Sequence, residues 1–140
     1  MSVGILALNT LVDARIRAVL PAGIEMVTGY SYEDLTDSAP AILARIVPQG
    51  VYPAEQSGRT AALVAQYTLF VEFDQERLST ADESAGYQFF DDALAQIAGW
   101  AYAPGRFAQF IHSPTPMAYD GRIWRVEFSF SVPVFVTGNT

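Results

Sequence analysis

The chain has 140 residues, no cysteine, and fifteen acids against eight arginines and no lysine, for a net charge of −7. That length predicts one domain, 1–140, able to bury a core of its own, and the missing cysteines exclude disulfides, thiolate metal sites and cysteine nucleophiles. The acidity weighs against duplex nucleic acid and acidic membrane surfaces, because both are held by a basic footprint.

The apolar residues Ile5, Leu8, Val12, Ile16, Val19 and Leu20 recur at three- and four-residue spacing. They predict a helix from Ile5 to Leu20, stopped by Pro21 and Gly23. Ile24 to Thr28 reads as a short strand, and Ser31 to Leu35 as a capped helical turn. Ala41 to Val47 is a predicted strand ended by Pro48. Pro48 to Gly58 then reads as a polar loop with an apolar tip, Val51-Tyr52.

Thr60 to Asp74 alternates as a long strand should. Leu63, Ala65, Tyr67, Leu69, Val71 and Phe73 form one face, and Val64, Gln66, Thr68, Phe70 and Glu72 the other. Asp74 to Ser84 is read as an acidic loop, and Ser84 to Gly99 as a helix with the stripe Tyr87, Phe90, Leu94 and Ile97. A short strand from Phe107 to His112 and a turn region from Ser113 to Asp120 follow. Asp120-Gly121 is a hairpin signal into a final strand, where Trp124, Val126, Phe128, Phe130, Val132, Val134 and Val136 alternate. A strand this long is expected to outrun the core and project. The fold class is therefore α+β: a mainly antiparallel curved sheet of four to six strands, with two helices on one face.

Catalytic signals are weak. His112 is the only histidine; an enzyme using it would need Asp120 or Glu127 beside it, and no nucleophile stands at motif spacing. Asp74, Glu76, Asp82 and Glu83 cluster, but without the spacing of a calcium loop, so a solvated acidic loop is the plainer reading. Asp91 and Asp92 diverge by about 100° on a helix and face solvent rather than forming a carboxylate pair. Phosphate-binding glycine motifs, a G-x-S-x-G elbow and an H-E-x-x-H zinc motif are all absent from the sequence. No catalytic residue, metal or cofactor is expected. The longest uncharged runs, such as Phe107 to Tyr119, fall short of the roughly 20 apolar residues that span a bilayer. The apolar start lacks the charged and small-residue flanks of a signal peptide, so folding in the cytoplasm is expected.

The layout resembles the tail-completion, or tail-terminator, proteins of long-tailed and Mu-like phages. The resemblance rests on an amphipathic helix ending in Leu20-Pro21, the strand Pro40 to Leu43, and a long strand after Gly58-Arg59. It continues through the helix Asp91 to Trp100 and the run Asp120 to Val126 into the last strand. It implies a structural virion protein at the head-proximal end of the tail, assembled in the host bacterial cytoplasm. Such a protein forms a ring, typically a hexamer, that caps the tail tube, ends its polymerisation and meets the head–tail connector or neck protein. The implied partners are the chain itself, the tube protein and the connector. Another tail or neck component, such as a tube or connector-adaptor subunit, and a small-molecule binding module or His112 enzyme are the alternatives.

The resemblance carries no site across residue by residue, so assembly contacts are chosen from the residues themselves. Val51 and Tyr52 are candidates to touch a neighbouring ring, and Phe70 and Phe135, on the second strand faces, to pack subunits. A second layer over that face is the competing account of those aromatics. Arg45, Arg59 and Arg125 are candidates to pair with Glu72 or Asp74 of another subunit.

Overall fold

The computed structural model describes residues 5–28, 41–111, 118–119 and 122–137. Helix α1 (Ile5–Arg17) leads into strand β1 (Glu25–Thr28), followed by two long strands, β2 (Ile42–Ser57) and β3 (Thr60–Asp74). Helix α2 (Thr80–Ile97) comes next. Then come four short strands, β4 (Ala101–Ala103), β5 (Arg106–Phe107), β6 (Gln109–Phe110) and β7 (Ala118–Tyr119), and the long β8 (Ile123–Thr137). Strands β1, β2, β3, β8 and β6 lie side by side in a six-stranded sheet, with β7 also paired to β8; β4 and β5 form a separate two-stranded sheet. Among the described residues only β1–β2 is parallel; β2–β3, β3–β8, β6–β8 and β7–β8 are antiparallel. This is the expected α+β plan.

Both helices pack on one face of the sheet. Leu8, Val12 and Ile16 of α1, and Phe89, Ala93 and Ile97 of α2, share one apolar cluster with Ile42, Ala44, Ile46, Tyr67, Leu69, Val71, Phe73, Val126, Phe128 and Phe130. Aromatic rings tie the strands together: Tyr67 stacks on Phe130 at 5.5 Å, and Phe90 and Phe110 each meet Phe128 edge-on. The predicted core rows of β3 and β8 thus face the helices. Tyr67 also donates a hydrogen bond to Asn9 Oδ1 of α1, and burial pushes its hydroxyl pKa up to about 12.

The second helix begins four residues before the predicted Ser84, because Ser79 caps it. The Ser79 hydroxyl accepts from the Asp82 amide at 3.1 Å, and Asp82 and Glu83 lie in the first turn, where the helix dipole favours them. Its buried stripe is Gly86, Phe89, Ala93 and Ile97 rather than Tyr87, Phe90, Leu94 and Ile97. A glycine reads as no hydrophobic anchor, yet here it sets the helix against the sheet. A Cβ on Gly86 would lie 2.9 Å from Ile42 Cδ1 and would press still closer on the Phe73 ring. Tyr87 keeps one contact inward, stacking on Phe73 at 4.9 Å.

Other boundaries shift modestly. Helix α1 ends at Arg17, with turns through Leu20. The single strand predicted over Phe107 to His112 is instead the two short strands β5 and β6. His112, Asp120, the turn at Ser31 to Leu35 and the Asp120-Gly121 signal lie outside the described residues, as does most of Ser113 to Asp120.

Candidate assembly surface

The largest departure from expectation is at Pro48 to Gly58. It is not a loop. β2 continues through it to Ser57 and pairs with β3 from Ile42↔Phe73 to Ser57↔Thr60. By local rules its two prolines, Pro48 and Pro53, break a strand. Each lacks an N–H, and in a paired strand that gap must fall where no ladder bond is made. β1 covers β2 only from Leu43 to Ile46, so beyond that point one edge of β2 has no paired strand among the described residues. Pro48 and Pro53 sit on that stretch, each followed by a register shift, between Pro48 and Gly50 and between Pro53 and Glu55. Gly50 takes a φ of 137°, with the Tyr52 ring over it. Gly58, with φ 59°, opens a two-residue reversal with Arg59, as a type II′ hairpin turn requires.

β8 runs along the other side of β3 to Thr60↔Thr137. The result is a three-stranded extension of the sheet, but the last strand does not project as expected: Val132 and Val134 of β8 and Ala65 of β3 stay in the core, and the exposed arm is β2 from Gln49 with the turn at Gly58-Arg59. Every residue from 49 to 60 is exposed. At about 3.3 Å per residue the stretch from Gln49 to Ser57 extends about 30 Å.

The candidate contacts fall into two groups. Val51 and Tyr52 lie on the arm and are 39% and 49% exposed; Arg59 is at its turn. Phe135, near the end of β8, is half-buried beneath the Arg106 guanidinium, 3.3 Å from the ring centroid. The others cluster at the body end of the sheet, on the face away from the helices. Arg45 Nε donates to Glu72 Oε1 at 3.0 Å, and both are largely buried. Arg125 lies over Phe70 at 5.3 Å. Asp74 accepts two hydrogen bonds from Arg122, at 3.0 and 2.9 Å, and one from the Glu76 amide at 3.1 Å, with Arg77 at 3.6 Å. The hydrogen bond from Arg122 holds the Asp74 carboxyl below its ordinary pKa, against the opposing effect of burial. Arg122 was not singled out from the sequence; only the register Asp74↔Ile123 brings it there.

Leu43, Val47 and Thr68 on that same face are also buried, and Thr68 and Ser129 share a hydrogen bond of 2.8 Å. Among the described residues no three metal-ligating side chains converge, and no helix is long and apolar enough to cross a membrane.

No protein-family model and no curated protein matches the sequence. Solved structures do. The first superposes on the whole of this chain with a TM-score of 0.68 and 18% identity; it is the sheath/tube terminator of an extracellular contractile injection system, in the extended state. The chain shares the fold of a sheath/tube terminator. It spans 58% of that terminator's length. A chain from the virion of a native gene transfer agent also matches, with a TM-score of 0.60 and 14% identity, over 92% of this chain and 95% of that one. One likeness is to a sheath/tube terminator and the other to a virion component, consistent with the tail-terminator resemblance of the sequence.

Proposed function

We propose that this chain is a structural virion subunit that closes into a ring, a hexamer, on the head-proximal end of a tail tube. The ring ends tube polymerisation and presents a surface to the head–tail connector or neck protein. It carries out no catalysis. The observation that supports this best is the likeness of the entire chain, arm included, to a sheath/tube terminator. The long arm agrees with it, since a ring is built from head-to-tail contacts between unlike surfaces. Assembly in the host bacterial cytoplasm follows from the same reading.

The test is electron microscopy of tails made with and without the protein. Without it, tubes are expected to vary in length and to lack a terminal ring; purified protein added to bare tubes is expected to form one. Tubes of uniform length in its absence would refute the capping role. A tube or connector-adaptor subunit is the second reading, prompted by the match to most of a gene transfer agent virion chain. Density for the protein along the whole tube, or only on the head side of an already closed end, would favour it.

A further inference from the structure

We propose that the exposed arm, β2 from Gln49 with the turn at Gly58-Arg59, is what one copy of this chain lays on the next, by its side chains and not by strand addition, with Arg59 against the acidic outer surface of the neighbour's α2. The inference rests on the ring reading above and names its contact.

Three observations carry it. The first concerns edges. An open sheet edge normally invites another strand, but both edges of the three-stranded extension are spoiled. Pro48 and Pro53, with their register shifts, interrupt β2 where β1 has ended. Pro133 interrupts β8 beyond Ser131, the last residue that β6 pairs. Each proline removes a donor an added strand would need. The arm is therefore fit to offer side chains, and Val51 and Tyr52 stand exposed on its opposite faces.

The second concerns charge. Copies of a chain of net charge −7 repel one another. The arm and the strands paired behind it are exempt: β2 from Pro48 onward, the turn, β3 to Gln66 and β8 from Ser131 to Thr137 carry one acid, Glu55, and one base, Arg59. Helix α2 is the opposite, with Asp82, Glu83, Asp91 and Asp92 and no basic residue along Thr80–Ile97. Asp82, Glu83 and Asp91 are exposed. The cation at the arm's turn and the acidic helix are complementary surfaces of two copies.

The third concerns reach. A compact domain of this size is about 35 Å across, so the exposed β2 stretch of about 30 Å offers a contact line of nearly that length. An arm-on-helix contact joins unlike surfaces, so it propagates head to tail, the kind of contact from which a ring is built when the rotation between copies closes.

The experiment is a charge swap read by light scattering, with the protein alone and with purified tail tubes. Arg59→Glu and Asp91→Arg are each expected to weaken association by at least about tenfold while leaving the melting temperature unchanged. Mixing the two variants, or combining R59E with D91R in one chain, is expected to restore it. Val51→Asp with Tyr52→Asp should also weaken assembly, whereas Pro53→Val with Pro133→Val should open the edges and produce open-ended aggregates. Wild-type assembly by R59E and by the V51D/Y52D pair, or failure of the swap to restore it, would overturn the arm contact. If wild-type protein still caps tubes in that case, the ring reading stands. A wild-type protein that stays monomeric with and without tubes would overturn both.

Discussion

Asp74→Asn separates a fold-stabilising ion cluster from an assembly contact. In the folded chain both Asp74 oxygens are occupied by Arg122, the Glu76 amide also donates to Oδ1, and Arg77 stands at 3.6 Å. The substitution keeps the shape but replaces one acceptor oxygen with an NH₂ facing a guanidinium. Hydrogen bonds to charged groups contribute roughly 1.5–3 kcal/mol each, but the Arg122 side chain is 45% exposed, so solvent screens the pair. A loss of about 2 kcal/mol follows, or about 6 °C in melting temperature for a domain of this size. The pH dependence has a fixed sign. The Asp74 pKa is lowered in the fold from its ordinary 3.8, so its contribution is complete above that value. It is lost as pH falls below about 4 through the folded pKa. Thermal unfolding by circular dichroism from pH 7 to pH 2.5 should therefore show wild type and D74N converging in acid. The mass of the assembled particle at pH 7 should be the same for both. An unchanged melting temperature combined with lost assembly would refute the reasoning and place Asp74 at a subunit contact.

Gly86→Ala should destabilise by about 1–3 kcal/mol despite alanine's better helix propensity, because the added methyl is driven into Phe73 and Ile42; urea titration measures it, and a stabilised variant would show that α2 can lift. Ser79→Ala removes the cap on α2 and should cost about 1 kcal/mol, also read in urea. Tyr67→Phe loses the hydroxyl's bond to Asn9, about 1 kcal/mol at neutral pH. With the Tyr67 pKa raised from 10.0 to about 12, the stability tied to its protonated form is complete below pH 10 and is lost between those values. Y67F should therefore unfold less steeply in alkali than wild type. Phe135→Asp strips the ring from beneath Arg106 and should weaken assembly more than folding; outright unfolding would make Phe135 a core residue.

The two helices, the core rows of β3 and β8, and the α+β plan were legible because hydrophobic periodicity is a local signal. Leu8, Val12 and Ile16 mark one helix face, and alternation from Leu63 to Phe73 marks one strand face, without knowledge of any partner. What failed to show depends on contacts distant in sequence. Pro48 and Pro53 end a strand by local rules; they are tolerated because β1 stops at the level of Ile46 and leaves the next stretch of β2 at an edge. Gly86 is a core position only because Phe73 approaches it. The pairing of Asp74 with Arg122 spans 48 residues and follows from the β3–β8 register. Of the candidate assembly residues, Val51, Tyr52 and Arg59 stand out by type, but their placement on a strand paired to β3 and at its turn depends on the sheet.

The distribution of burial explains why the arm, and not the broad second face of the sheet, is the surface to test. A sheet covered by helices on one side usually leaves its other side to water or to a second layer. Here that other side is already closed near the helices' end. Leu43 and Val47 are buried, Arg45 is neutralised by Glu72, Thr68 bonds Ser129, and Phe70 is half-buried with Arg125 above it. Burying such a face again against a neighbour would remove little further apolar surface from water, so the driving force there is small. Toward the arm the balance reverses. β3 and β8 keep Ala65, Val132 and Val134 in the core, whereas β2 is exposed from Gln49 to Ser57, with Val51 and Tyr52 on it. A monomer gains little from extending β2 into water beyond Pro48. The extension is stabilising only if a neighbour covers it, and blunted edges limit that cover to a finite contact in place of an endless sheet.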